Sequence, residues 1–162
     1  MKNIWHKEKP QSKYYFAYGM NTNNDEMATR CPSAVNLGKC VLDGFSLKFR
    51  LHADIDQDPH SSIEGVLWRI TDDCEFALDM LEGYPYYYNK VDVVVKPETP
   101  VDGYMQNVIA MAYTMTNKGV LEPPSNIYSI CVRRGYADNG LSTELLDESI
   151  QESIIHGSIA TT

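Results

Sequence analysis

A single strongly amphipathic helix in mid-chain, with stretches of strand character before and after it, limits the folds open to this sequence. Cys74, Ala77, Leu78 and Leu81 recur at helical spacing, Asp72 and Glu75 form an Asx-type capping box, and Gly83 follows as the natural end of the helix. Upstream, Tyr14-Tyr15-Phe16-Ala17-Tyr18 is an aromatic run cut off by Gly19, which predicts a strand stopping at a tight turn. Asn21 to Glu26 is rich in capping residues and predicts a short helix entered near Met27. Val41 to Leu51 is a strand that alternates apolar and polar residues from Phe45 onward, Asp54 to Ser62 reads as a polar loop with Pro59, and Ile63 to Ile70 reads as a second strand. Gly65 marks a bulge or a close backbone approach there.

Downstream of the helix, Tyr84-Pro85 starts a turn, and Tyr88 to Lys96 and Asn107 to Met115 are strands separated by a loop through Pro97, Pro100 and Gly103. After Pro123-Pro124, Ile127, Ile130 and Cys131 share a helical face over Ser125 to Arg134, with Gly135 and Gly140 marking its exit. A last helix, Ser142 to His156, carries Leu145, Leu146, Ile150 and Ile154 behind a Ser142 cap. This order does not alternate regularly enough for a doubly wound parallel sheet and predicts an α+β domain with a curved or closed sheet. At 162 residues the chain has room for one core, which buries roughly 70% of the unfolded surface in a domain this size. The expected division is a polar N-terminal segment over 1–13, one domain over 14–156 and a C-terminal tail over 157–162.

Charge and motif content narrow the function. A net charge of −8 disfavours nonspecific binding to phosphate backbones, so no nucleic-acid partner is expected. No segment approaches the roughly 20 apolar residues of a membrane helix, and Met1 to Lys13 lacks the apolar region of a secretory signal. No membrane partner and a cytoplasmic address are therefore expected. Cys31, Cys40, Cys74 and Cys131 form no C-x-x-C pair and read as buried free thiols. His6, His52, His60 and His156 show no ligand spacing and read as surface or loop residues, so no metal is expected. Phosphate-loop, dinucleotide and serine-hydrolase motifs are all missing. Eleven tyrosines against four phenylalanines stand out.

Three places carry candidate chemistry. Glu82 occupies the last turn of the central helix, where the dipole disfavours a carboxylate. It is either simply solvated or, beside the rings of Tyr84, Tyr86, Tyr87 or Tyr88, a base with a raised pKa. Tyr18-Gly19-Met20-Asn21 lies between a strand and a helix, where free amides suit a carboxylate or an oxyanion. An ordinary turn using the conformational freedom of Gly19 fits equally well. Pro123 to Tyr128 is a rigid turn aiming Tyr128 at a site, or a loop leading Tyr128 into the core.

Taken in order, Tyr15-Phe16-Ala17-Tyr18-Gly19-Met20-Asn21, Gly65-Val66-Leu67-Trp68 and Leu78-Asp79-Met80-Leu81-Glu82-Gly83 with Tyr88 beyond resemble the gamma-glutamylcyclotransferase family. Tyr113 to Asn117, Pro123-Pro124-Ser125, Tyr128 and Gly135 through Asp138-Asn139-Gly140-Leu141 extend the likeness over roughly residues 14 to 150. The Pro-Pro-Ser and Asn-Gly-Leu segments resemble the branch acting on gamma-glutamyl amino acids rather than gamma-glutamylamines.

The resemblance implies a small mixed β-barrel with flanking helices and a pocket at one end. It implies cyclisation of a gamma-glutamyl amide to 5-oxoproline with release of the amine. No cofactor or metal is implied, the partner is a small gamma-glutamyl substrate, and a homodimer is left open. Carried over by motif, Glu82 matches the general acid/base and Tyr18, Gly19, Met20 and Asn21 match the substrate loop. Tyr88, Tyr113 and Tyr128 are expected on the pocket wall. Met20 stands where the family usually has Ser, and Tyr86-Tyr87 is local to this chain. The chemistry is consistent with the absence of a triad, because the substrate holds its own nucleophile and electrophile and needs orientation and proton transfer. A binding module on the same fold is the alternative. A glycosidase using Asp79 and Glu82 ranks last, since neighbours on one helix do not flank a sugar.

Overall fold

Alternating burial shapes the strands. Leu47 and Phe49 are buried with Lys48 between them half out, and the same alternation carries Val93, Val95 and Pro97 inward. The computed structural model describes residues 13–160; His6, the polar N-terminal segment up to residue 12 and the last two residues of the expected tail lie outside the described residues. Five strands, β1 (Lys13–Ala17), β2 (Val35–Arg50), β3 (His52–Ile70), β4 (Tyr88–Pro97) and β5 (Val108–Met115), form a closed barrel in the order β1-β3-β2-β4-β5. β2 and β3 make one long antiparallel hairpin that turns at Leu51, and β4 pairs antiparallel with β5 from Tyr88↔Met115 to Val95↔Val108. β2 touches β4 at Cys40↔Pro97 and Val41↔Lys96. β1 lies antiparallel to β3 and parallel to β5, with Tyr15 opposite both Trp68 and Met111, which closes the sheet. The closed α+β sheet expected from the element order is therefore present, as a mixed barrel with flanking helices.

Phe16, Phe49, Ile55, Leu67 and Val95 fill the core with 1% exposure or less, and burying each such side chain contributes roughly 1.5–3 kcal/mol. The helices α1 (Asn24–Arg30), α2 (Asp72–Glu82), α3 (Asn126–Asp138) and α4 (Thr143–Ala160) add Met27, Leu78, Val132 and Leu146 to it. Among the described residues no helix is long and apolar enough to cross a membrane. All four cysteines are free; Cys131 is only partly buried.

The structure departs from the expected elements in several places, and in each a tertiary contact decides. Asp54 to Ser62 is not a loop, because β3 runs through it. Asp54 is wholly buried and accepts bonds from Arg50 (2.8 Å), Lys118 (2.8 Å), the Met115 amide (2.9 Å) and Thr114 (3.1 Å). A carboxylate so satisfied belongs inside, although its residue type signals solvent. Only Asp58 to Ser61 leaves the register, between Phe45↔Gln57 and Asp43↔Ser62, and Asp58 folds that bulge by accepting from the His60 amide and Ser61. His52 and His60 are exposed as expected but lie within β3.

At α2 the N-cap is Thr71, whose hydroxyl accepts from the Cys74 amide, so Asp72 and Glu75 are first-turn acids rather than a capping box. Leu81 lies off the buried stripe and is 49% exposed. On α3, Ile127 and Ile130 face outward, and Val132, Gly135 and Tyr136 form the buried face. The helix passes through Gly135 because the preceding chain packs so close that a Cβ there would sit 2.3 Å from Thr22 Oγ1. On α4, Leu146 is buried while Leu145 and Ile154 are 42% and 43% exposed, and the helix continues past His156 to Ala160.

Gly65 is the tightest point of the barrel wall. A Cβ there would lie 2.4 Å from both the Ala17 carbonyl oxygen and the Phe16 ring, and neither can move without shifting β1. Gly65→Ala is expected to cost about 3 kcal/mol, read as a lower urea midpoint at unchanged m-value.

Candidate active site

Where β1 ends, the chain makes one 3-10 turn over Met20–Thr22 before α1. The Thr22 amide (3.1 Å) and hydroxyl (2.7 Å) both donate to the Gly19 carbonyl, and the Asn23 side chain caps α1 by accepting from the Asp25 and Glu26 amides. Three donors hold this loop from outside: Tyr136 Oη to the Tyr18 carbonyl (2.6 Å), Trp68 Nε1 to the Asn21 carbonyl (3.0 Å) and Asn139 Nδ2 to the Thr22 carbonyl (2.8 Å). Gly19 has φ −116°, so its φ is not in the left-handed region. What it provides is close packing, since a Cβ would come within 2.8 Å of Ala53 Cβ. No acceptor among the described residues is bonded to the Gly19 or Asn21 amide. The Ala53 and Met20 backbone groups both meet the Tyr128 hydroxyl.

Facing this loop is the end of α2. Gly83, at φ 62° and ψ 34°, is the left-handed cap expected there, and the Tyr84 amide donates to the Asp79 carbonyl at 2.9 Å. Glu82 is the last residue of the helix, half-buried. The cavity between them, about 250 Å³, is lined by Glu82 and by Tyr18, Gly19, Met20, Asn21, Tyr88, Tyr113 and Tyr128. The acid/base, substrate-loop and wall residues carried over by the resemblance thus border one space; Asp79 does not line it. The sequence reading missed Tyr15, Arg30, His52, Ala53 and Leu81, which also line it. Tyr15 had a signal in the aromatic run. Arg30 had none, because it reads as the exposed half of an i,i+4 pair with Glu26. Of the aromatic neighbours foreseen for Glu82, Tyr87 and Tyr88 border the cavity; Tyr86 is 88% exposed and Tyr84 packs under the Lys90 ammonium.

Burial pushes the Glu82 carboxyl up to about 7, against the pull of the Arg30 charge and a 3.4 Å hydrogen bond from Asn21 Nδ2. The surrounding phenols are raised by burial, Tyr128 to about 12 and Tyr15, Tyr18, Tyr88 and Tyr113 further, so all are neutral donors near neutral pH. Tyr88 Oη donates to the Ala53 carbonyl (2.8 Å) and Tyr113 Oη to Asp79 Oδ1 (2.6 Å), which fixes the wall. Asp79 is engaged a second time by Lys90 Nζ at 3.0 Å. One carboxylate of near-neutral pKa, set in a ring of neutral hydroxyls and beside unbonded amides, can move a proton and hold an oxyanion.

The raised pKa has a consequence for folding. The group's ordinary value is 4.5 and its folded value about 7, so its ionisation favours the unfolded chain. The stability it lends is full below pH 4.5 and is lost as pH rises through 7. Glu82→Gln is therefore expected to be near neutral at pH 4 and stabilising by on the order of 1–2 kcal/mol at pH 8, measured by chemical denaturation at both pH values.

A family model described as gamma-glutamyl cyclotransferase, AIG2-like, matches residues 15–129. The chain is 32% identical over 143 residues to the gamma-glutamylcyclotransferase of Mus musculus, covering 80% of this chain and 73% of the relative. It is 30% identical over 147 residues to that of Bos taurus, covering 83% and 75% respectively. A solved structure described as a gamma-glutamyl cyclotransferase superposes with TM-score 0.73 at 27% identity, covering 86% of each chain.

Proposed function

The chain belongs to the gamma-glutamyl cyclotransferase, AIG2-like family, and on that premise we propose that it cyclises a gamma-glutamyl amino acid or amide to 5-oxoproline and releases the amine, with Glu82 as the one general acid/base. The observation that carries this reading is the half-buried Glu82, poised near pH 7 in the same cavity as the Gly19 to Asn21 loop.

The α-ammonium of the glutamyl group is inert until it loses a proton, and a carboxylate with pKa about 7 accepts that proton at neutral pH. The freed amine attacks the γ-carbonyl, forming the ring C–N bond and placing negative charge on the carbonyl oxygen. The Gly19 and Asn21 amides, which bond no described acceptor, suit that oxyanion; such a donor is typically worth about 10²-fold in rate. Glu82 returns its proton to the amide nitrogen, the old C–N bond breaks, and the second proton of the ring nitrogen ends on the departing amine. Tyr18, Tyr88, Tyr113 and Tyr128 act in this scheme as a fixed, neutral wall that orients the substrate. Met20 also lines the cavity, so the substitution of a thioether for the family's usual hydroxyl bears directly on substrate fit.

Incubation with gamma-glutamyl-alanine is expected to yield 5-oxoproline and alanine, with kcat/KM falling on the acid side with an apparent pKa of about 7. Glu82→Gln is expected to lower kcat about 10³-fold with little change in KM. Activity that survives this substitution removes Glu82 from the mechanism. Thermal stabilisation by gamma-glutamyl compounds without turnover would instead favour the binding-module reading, to which Met20 points.

A further inference from the structure

Among the residues lining the cavity, Arg30 is the one lysine or arginine. It leaves the last turn of α1, where a cation suits the negative end of the helix dipole, and its guanidinium is braced by Glu26 Oε2 at 3.3 Å. Its other contact is Nη1 to Asn21 Oδ1 at 2.7 Å. Asn21 is buried, at 3% exposure, and its Nδ2 donates to Tyr15 Oη at 3.0 Å and to Glu82 Oε1 at 3.4 Å. A side-chain amide has one accepting and one donating end, and a guanidinium has donors only. With Arg30 in place the accepting end of Asn21 must face it, so the donating end must face Glu82. The reversed amide would set two oxygens against each other at Glu82 and two sets of N–H groups against each other at Arg30.

The geometry points to Arg30 as a positioning residue for the reaction: it orients the Asn21 amide and so holds the Glu82 carboxylate as a hydrogen-bond acceptor facing the cavity. This rests on the reading of Glu82 as the acid/base. Arg30 acts through Asn21 and by its charge, not by contact with the reacting atoms. The other titratable groups around Glu82 are the buried phenols of Tyr15 from β1, Tyr18 just past its end, Tyr88 from β4, Tyr113 from β5 and Tyr128 from α3, together with exposed Tyr87 just before β4 and exposed His52 at the start of β3. The buried phenols stay neutral, and Asp79 on α2 itself is tied to Lys90 and Tyr113. Arg30 is thus the permanent positive charge that opposes the desolvation of Glu82.

Two readouts on the full chain test this: titration of the Glu82 carboxyl carbon by NMR, and the pH profile of kcat/KM for gamma-glutamyl-alanine. In Arg30→Met the Glu82 titration is expected to move up by about one pH unit or more, the acid limb of kcat/KM to move with it, and KM to change less than about threefold. Arg30→Lys, which keeps the charge and a donor, is expected to return the titration to within about half a unit of the parent. If Arg30→Met does not fold, Arg30→Gln supplies a neutral side chain that still donates to Asn21, and the upward shift is expected there too. An unmoved Glu82 titration in the neutral variants overturns the proposal, as does a KM raised tenfold with the acid limb in place, which would make Arg30 a substrate ligand. Because the NMR titration needs no turnover, an inactive parent protein would count against the cyclotransferase reading and leave the Arg30 assignment to be decided by the titration.

Discussion

Strand β1 is held on both sides, by β3 along its length and by β5 where Tyr15 meets Met111, and with that pairing the sheet has no free edge. Both the barrel and its cavity depend on this closure. It forces Gly65 of β3 against the Ala17 carbonyl, it buries Phe16 completely, and it delivers the chain to Tyr18 at the rim. From there the chain has only the short turn over Met20–Thr22 in which to enter α1, and donors from Trp68, Tyr136 and Asn139 take up its carbonyls. The carbonyls of this loop are thereby satisfied by the fold, while the Gly19 and Asn21 amides are left without a described acceptor. A loop so anchored offers donors, which is the polarity a developing oxyanion requires.

A second constraint opposes the first. Closing the end of α2 against that loop takes Glu82 out of water, and desolvation disfavours its ionised form. The fold contains few positive groups with which to compensate, in a chain whose net charge is −8. Arg30 and the Asn21 amide supply the local compensation, and the balance lies near pH 7 rather than at either extreme. The acidity of the whole protein therefore says little about the site; two side chains within hydrogen-bonding reach of each other outweigh it. The buried Asp54 is held differently, by direct donation from Arg50 and Lys118 beside the Leu51 turn of the β2–β3 hairpin.

Much of this architecture was legible in residue order, and the failures are instructive. The strand ending at Gly19, the helix ending at Gly83 and the strands β4 and β5 follow from local patterns, because turn chemistry and periodicity act over a few residues. The polar stretch from Asp54 misled because a paired carboxylate inside a sheet looks the same in sequence as one in a loop. The face of α3 misled for a related reason: Ile127 and Ile130 are apolar yet face out, and the buried side is set by Gly135, whose value is the space it leaves for Thr22. Leu81 was assigned to the core by spacing alone, but the helix end turns it toward the cavity.

Residue order alone establishes an α+β chain with one central helix, an acidic residue misplaced at that helix's end, a glycine-bearing loop after the first strand and a surplus of tyrosine. Those are local properties, written in neighbours along the chain. That Glu82 meets Asn21 across 61 positions, that Arg30 stands behind Asn21, and that tyrosines from β1, β4, β5 and α3 form one wall are relations between distant segments. They exist only once the barrel has closed, because closure is what brings the ends of β1 and α2 to the same mouth. The pKa of Glu82 belongs with them, since it is set by the burial and charges that closure assembles rather than by the residues on either side of it.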